Sequence, residues 1–251
     1  MANQIKKPSL FWFFTEGMRA IIEHIGCLIF MARYRFTHKG DGHPVLAVPG
    51  FLCTDYSMRY LRKFVNKLGY TAYGWELGRN MCDLKDLNDL NRLNARVDEI
   101  YRKHNTKITL IGWSMGGVYV RELAKQRPHL FRQVITMGSP FGDGYAPTNG
   151  TWLFELLHDS SKIDDNWRRQ IPNPAPIRTT AIYTKQDGIV PWAACLEKIE
   201  DDLHQNIEVV GSHWALGMNP TVLKIVEDKL VAQQEAENAV SAVGNSPLAY
   251  S

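Results

Sequence analysis

Short apolar runs alternate with longer stretches of helical periodicity from about residue 45 onward. Apolar runs of four to eight residues are typical of buried strands, whereas apolar residues three and four apart indicate amphipathic helices. Such alternation favours strand–helix–strand units, and therefore an α/β fold with a mostly parallel central sheet flanked by helices. We predict six strands, at 45–48, 70–75, 108–112, 133–137, 179–184 and 207–210.

The stretches between these strands predict helices at 56–68, 86–104, 115–126 and 221–234. Residues 41–235 are therefore expected to form one domain, followed by a flexible tail of small and polar residues at 236–251. One segment, 142–177, breaks the alternation with aromatic residues, acids and a series of prolines. A loop of this length inside a compact domain usually carries function or structure of its own, so we predict a small cap-like insertion.

The chain begins with a different pattern, because apolar residues between Leu10 and Phe36 recur at helical spacing. Charged residues, among them Glu16 and Glu23, interrupt this stretch too often for a membrane-spanning helix or a signal peptide. We predict that residues 1–40 form an amphipathic helical segment packed on the domain. The alternative is that residues 10–36 contact a membrane surface or a second copy of the chain.

Composition narrows the class of protein. A chain of 251 residues with 45% hydrophobic residues can build one large core. Lysine and arginine number 29 against 26 acids and are scattered, so no nucleic-acid partner is expected. The four cysteines share no metal-site spacing, which predicts free thiols, no metal and a reducing compartment. We therefore expect a cytoplasmic protein, with peripheral membrane contact as the alternative.

The segment Gly112-Trp113-Ser114-Met115-Gly116-Gly117 lies between a predicted strand and a predicted helix. Glycine, any residue, serine, any residue and glycine in this context is typical of a nucleophile elbow. Side chains at Gly112 and Gly116 would collide with neighbouring backbone in so sharp a turn. We predict that Ser114 is a nucleophile presented at the edge of the sheet.

A serine nucleophile needs a general base and an acid that orients it. His213 follows the last predicted strand, where a loop at the carboxyl edge of the sheet would present it. Asp187 follows the preceding strand in the same way, although it could be an ordinary turn residue before Gly188. Among the other later histidines, His204 stands in an acidic segment and is expected at a solvated helix end. We predict that Ser114, Asp187 and His213 form a triad.

Negative charge that develops on the substrate needs hydrogen-bond donors. The backbone NH of Met115 is one natural donor, and we expect the other at Phe51, in the turn after the first strand. Leu52, Trp113 and Trp214 are expected to line an apolar substrate site around the nucleophile. Residues 75–80 are expected either to line the pocket or to form a packed turn.

These motifs together resemble the α/β-hydrolase superfamily, and within it bacterial lipases and esterases, over roughly residues 43–230. The resemblance rests on Val48-Pro49-Gly50-Phe51, on the segment around Ser114, on Asp187-Gly188-Ile189-Val190-Pro191 and on Ser212-His213. Proline stands at position 49, where many lipases have histidine. The resemblance implies hydrolysis of carboxylic esters through an acyl-enzyme, without a metal or an organic cofactor.

Two other functions fit the same residues. An acyltransferase would use the same triad but pass the acyl group to an alcohol or amine instead of water. A non-catalytic binding protein would keep the fold without the chemistry, because a fold alone does not establish a function. For both enzyme functions, the hydrolase and the acyltransferase, the expected ligand is a small-molecule or lipid-like acyl ester.

Overall fold

The computed structural model of the chain describes residues 5–82, 88–143, 146–150, 155, 157 and 165–244. Its strands are β1 (Pro44–Val48), β2 (Thr71–Gly74), β3 (Ile108–Trp113), β4 (Phe131–Met137), β5 (Thr179–Tyr183) and β6 (His204–Glu208). They form one sheet in the order β2-β1-β3-β4-β5-β6, and all neighbouring strands are parallel. The predicted parallel sheet of about six strands is confirmed.

Helices cover both faces of this sheet. They are α1 (Leu10–Arg33), α2 (Arg59–Lys67), α3 (Asn88–His104), α4 (Met115–Gln126), α5 (Asp165–Gln170) and α6 (Pro220–Gly244). One core cluster joins the sheet to α3 and α4, and another joins it to α1, α2 and α6. Every residue of β1 and β3 is buried, as expected for parallel strands covered on both faces.

Several boundaries differ from the sequence prediction, most of them by one to three residues, and two of the differences are informative. α6 continues to Gly244, ten residues beyond the predicted end at 234, and the added stretch is rich in the good helix formers alanine and glutamate. β6 begins at His204, three residues before the predicted start; it is an edge strand, and its polar residues are mostly exposed or half-buried, so no continuous apolar run marks it in the sequence.

The expectation that His204 lies at a solvated helix end is wrong. Its side chain is buried at the start of β6, with Nδ1 2.8 Å from an Asp201 carboxylate oxygen and Nε2 2.9 Å from the carbonyl oxygen of Ala175. Partners on both ring nitrogens allow an imidazole to be buried there at the sheet edge.

The region of the predicted cap, 142–177, lies partly outside the described residues. Its described C-terminal part packs against the domain: Trp167, Ile171 and Ala175 are buried in the core cluster that contains α3 and α4. The cap itself stays a prediction.

In the described residues, no helix combines the length and the apolar character that crossing a bilayer requires. α1 instead packs on the domain along one side, with Cys27 fully buried.

Candidate active site

Ser114 lies at the turn between β3 and α4, with backbone angles of φ 53° and ψ −125°. A positive φ costs a residue with a side chain about 1–3 kcal/mol, so the surrounding structure must enforce it. A Cβ atom at Gly112 would lie 2.4 Å from Cα of Gly117, and one at Gly116 would lie 2.3 Å from the carbonyl oxygen of Val48. Glycine at these positions therefore permits the tight turn that holds Ser114 at the N-terminus of α4.

Asp187 and His213 lie in the loops that follow β5 and β6. His213 Nδ1 is 2.6 Å from one carboxylate oxygen of Asp187. The other carboxylate oxygen accepts hydrogen bonds from the backbone NH groups of Ile189, at 2.8 Å, and Val190, at 2.7 Å. Both side chains are buried. The aspartate is thus fixed by backbone donors and can orient the imidazole.

The residue beside the serine also anchors the histidine. The Trp113 indole NH donates to the backbone carbonyl of His213 at 3.0 Å, and the two rings lie 5.7 Å apart. Because parallel strands place their carboxyl ends at one edge of a sheet, Ser114, Asp187 and His213 all lie at this edge.

Gly138 leaves the space that the histidine occupies. It directly follows β4, which lies between β3 and β5, and it has a φ of 57°. A Cβ atom there would lie 3.0 Å from His213 Nδ1 and 2.7 Å from a methyl carbon of Leu216. A larger residue would therefore push the imidazole away from its position over the end of β4.

Neighbouring carboxylates influence the pKa of His213. Burial disfavours the imidazolium, but the charge and hydrogen bond of Asp187, together with the charge of Glu16, raise the pKa of His213 above its ordinary value. A base whose protonated form is stabilised in this way is suited to accept the proton of a serine hydroxyl.

The turn after β1 approaches the serine from the other side. A Cβ atom at Gly50 would lie 3.0 Å from Cβ of Ser114, so the turn that continues into Phe51 passes close to the nucleophile. The next residue, Leu52, has a φ of 60°. Met115 is the first residue of α4, and the first NH groups of a helix lack intrahelical acceptors. These positions suit the predicted pair of donors, Phe51 and Met115.

Asn80 holds this turn in place. The sequence analysis singled out segment 75–80 but not Asn80 itself. Its side chain is fully buried. The side-chain amide donates to the carbonyl of Pro49 at 2.8 Å, and its carbonyl accepts from the NH of Cys82 at 3.0 Å. Its backbone bonds both Leu52, at 2.7 Å, and Cys53, at 2.8 Å. Through Asn80, segment 75–80 supports the loop beside Ser114.

An Asn80→Ala variant is expected to lower the free energy of unfolding by about 1–3 kcal/mol, because it removes two buried side-chain hydrogen bonds. Urea denaturation followed by fluorescence measures this change. Asn94→Ala is the matched control, since Asn94 bonds the Gln126 side chain at the surface. Equal stability of the two variants would contradict the bracing role of Asn80.

α1 contributes a buried carboxylate to the back of the site. Glu16 accepts from the backbone NH of Gly188 at 2.9 Å, from that of His213 at 3.2 Å and from that of Trp214 at 3.2 Å. Arg19 forms an ion pair with the same carboxylate at 2.9 Å. Glu16 thus joins the loop that carries the candidate acid to the loop that carries the candidate base.

Two further residues on the same side of α1 extend this attachment. Arg19 donates to the carbonyls of Gln186 and Gly211, at 3.0 and 3.1 Å. Glu23 accepts from the NH of Ser212 at 2.7 Å and from the Asn219 amide at 2.9 Å. Glu16, Arg19 and Glu23 form what we call the inner polar face of α1, and all three hold the loops of the candidate triad.

The contact between α1 and the acid loop is very close. A Cβ atom at Gly188 would lie 2.4 Å from the backbone nitrogen of Phe13. The side chain of Asn149 adds a bond to the carbonyl of Gly188 at 2.8 Å. Gly188 is therefore required by the approach of α1.

The residues predicted to line a substrate site differ in exposure. Trp113 is buried and bonded to His213, which favours a positioning role over direct substrate contact. Leu52 is half-buried in the turn beside Ser114. Trp214 is 52% exposed beside the histidine, and its ring lies 3.6 Å from the position of a Cβ atom at Gly17 of α1.

No protein-family model matches the sequence, and no curated protein is significantly similar to it in sequence. Solved structures are similar in fold. A metagenome-derived lipolytic enzyme has a TM-score of 0.60 at 15% identity, covering 79% of this chain and 96% of its own. Mature Bacillus licheniformis lipase BlEst2 has a TM-score of 0.58 at 16% identity, with 78% and 96% covered.

An α/β-superfamily hydrolase from Oenococcus oeni has a TM-score of 0.56 at 13% identity, with 77% of this chain and 93% of its own covered. These likenesses, together with the six-stranded parallel sheet, show that the chain has the α/β-hydrolase fold.

Proposed function

We propose that the protein is a serine hydrolase that cleaves carboxylic esters through an acyl-enzyme intermediate. The observation that carries the proposal is the buried hydrogen bond between His213 and Asp187, at the same edge of the sheet as a serine held at positive φ. The solved structures of similar fold include a lipase and a lipolytic enzyme by name, which supports the same class of substrate.

The first half of the reaction acylates the serine. His213 accepts the proton of Ser114 as the hydroxyl oxygen bonds to the ester carbonyl carbon. The backbone NH groups of Phe51 and Met115 stabilise the oxyanion that forms. When the carbon–oxygen bond of the ester breaks, the imidazolium gives its proton to the departing alcohol, and the acyl group stays on Ser114.

The second half repeats these steps with water. His213 accepts a proton from water as the water oxygen bonds to the acyl carbon, and it returns a proton to Ser114 when the acid leaves. Asp187 fixes the imidazole tautomer and stabilises its charged form in both halves. An alcohol that replaced water at this stage would make the same site an acyltransferase.

A fluorophosphonate probe tests this function directly, because it reacts with activated serines. We expect labelling of the wild type at Ser114, located by peptide mass spectrometry, and no labelling of Ser114→Ala. Ser57→Ala, which removes a hydroxyl bonded to the carbonyl of Thr54, is the matched control and should be labelled like the wild type.

Turnover of p-nitrophenyl esters from acetate to palmitate, with and without an added alcohol, then separates the two enzyme reactions. Release of free acid identifies a hydrolase, whereas formation of a new ester identifies an acyltransferase. Failure of the probe to label folded wild-type protein would contradict the proposal and favour a binding protein.

A further inference from the structure

The outer face of α1, opposite its inner polar face, is an exposed apolar stripe. At 100° per residue the stripe covers roughly 120° of the helix circumference, and the helix is about 36 Å long. Contiguous exposed apolar surfaces of this kind mark sites of interaction. Its members are between 49% and 78% exposed: Leu10, Phe11, Phe14, Met18, Ile21, Ile22, Ile25, Leu28 and Ile29.

Negative charge is absent from this stripe. Both acids of α1, Glu16 and Glu23, are turned inward and bonded to the loops of the candidate triad. The flanks are basic instead. Exposed Lys6 and Lys7 precede the helix, and a second group ends it and follows it at the exposed residues Arg33, Arg35 and Lys39.

A second basic surface lies beside α1. α2 forms an open depression of about 460 Å³ that is lined by Arg59, Arg62, Lys63, Asn66 and Lys67. Within the described residues, none of these four cations forms an ion pair. α2 is attached to α1 through a hydrogen bond of 2.6 Å between His24 and Tyr60 and through the ring contact of Phe30 with Phe64.

We propose that the outer face of α1 and the basic depression of α2 together dock the protein on a bilayer surface that contains anionic phospholipid. An apolar helix face bordered by lysine and arginine lies in the plane of the membrane interface, with its apolar side chains below the headgroups. The cations of α2 would then contact lipid phosphates. This surface lies outside the candidate triad, and the docking proposal does not depend on whether Ser114 is catalytic.

A second copy of the chain fits the same surface less well, because both ends of α1 are basic. A parallel pair of α1 helices would place Lys6 and Lys7 against the same residues of the other copy. An antiparallel pair would place them against Arg33 and Arg35. Like charges meet in either arrangement, whereas an anionic bilayer is complementary to both ends.

Cosedimentation with vesicles tests the proposal, using full-length protein that carries Ser114→Ala so that no ester is consumed. We expect binding to vesicles of phosphatidylcholine mixed with phosphatidylglycerol roughly tenfold or more tighter than binding to phosphatidylcholine alone, weakening as salt is raised. Phe14→Ser combined with Ile21→Ser should weaken binding by roughly tenfold or more, because both apolar side chains lose their place in the bilayer.

Lys63→Glu combined with Lys67→Glu should reduce the preference for anionic vesicles by roughly tenfold, because two cations of the depression become acids while the basic residues that flank α1 remain. The matched controls are Ile199→Ser, an exposed apolar residue between β5 and β6, and Lys103→Glu on α3, across the sheet from α2. Both should bind like the unchanged protein, and circular dichroism checks that every variant is folded.

Two results would overturn the proposal. The first is the absence of vesicle binding by folded protein. The second is a dimer, measured by sedimentation equilibrium, that dissociates when Phe14→Ser and Ile21→Ser are combined. A second copy of the chain would then be the occupant of the stripe. Probe labelling of Ser114 is read separately, so failure of the docking surface and failure of the proposed hydrolysis are distinguishable.

Discussion

An Asp187→Asn variant is expected to hydrolyse esters about 10⁴-fold more slowly than the wild type, with the fold unchanged. Asparagine keeps the size of the side chain and an oxygen that can accept from the NH groups of Ile189 and Val190. Its neutral amide cannot stabilise the imidazolium, and it favours the wrong tautomer of His213. The values of kcat for a p-nitrophenyl ester, measured for both proteins, give the ratio.

The chain offers a matched control for this variant. Asp201 also binds a buried histidine, with 2.8 Å between its carboxylate and Nδ1 of His204, but the pair lies at the start of β6, away from Ser114. Asp201→Asn should therefore leave kcat near the wild-type value. Equal losses in the two variants would show that the effect of Asp187→Asn is structural.

A Glu16→Gln variant is expected to extend activity to lower pH and to lower kcat by up to ~10²-fold, the cost of a small misplacement of reacting groups. Glu16 raises the pKa of His213, and the imidazole must be neutral to act as a base. Without that charge the pKa of His213 falls, so the acidic limb of kcat/KM moves to lower pH. The amide also loses one of the acceptor positions that hold the loops together.

Glu23→Gln separates charge from packing. Glu23 lies on the same inner polar face but contacts the NH of Ser212 rather than that of His213. The Glu23→Gln variant should therefore reduce kcat because α1 packs less tightly on the loop of His213. The acidic limb of its kcat/KM profile should move less than that of Glu16→Gln. Identical pH profiles for Glu16→Gln and the wild type would contradict an electrostatic role for Glu16 and leave it as a structural brace.

Local patterns were enough to predict the sheet and the serine turn. The strands are continuous apolar runs, and the tight turn at Ser114 needs glycines at fixed offsets, so both are visible in a short window of sequence. Asp187 and His213 could be proposed because they follow neighbouring strands, which must end at the same edge. None of this requires knowledge of distant contacts.

The bracing residues could not be predicted because their partners are distant along the chain. In the sequence, Glu16 and Glu23 are charged residues that interrupt an apolar helix. Only the packed structure shows that they bind backbone NH groups of the loops after β5 and β6. Their occurrence seven residues apart, on one side of the helix, was the available signal. Asn80 likewise has its role through the carbonyl of Pro49, on another element.

The attachment of α1 also has a consequence for how the protein is made. Glu16 binds residues 172 and 197 positions later in the chain. When α1 leaves the ribosome, the loops that supply hydrogen-bond partners to its inner polar face have not been synthesised. Contacts of such sequence separation form late, because the entropy of closing the intervening chain must be overcome first. The Glu16 carboxylate therefore stays in water until the chain has been synthesised past Trp214, and the candidate site can be completed only after that point.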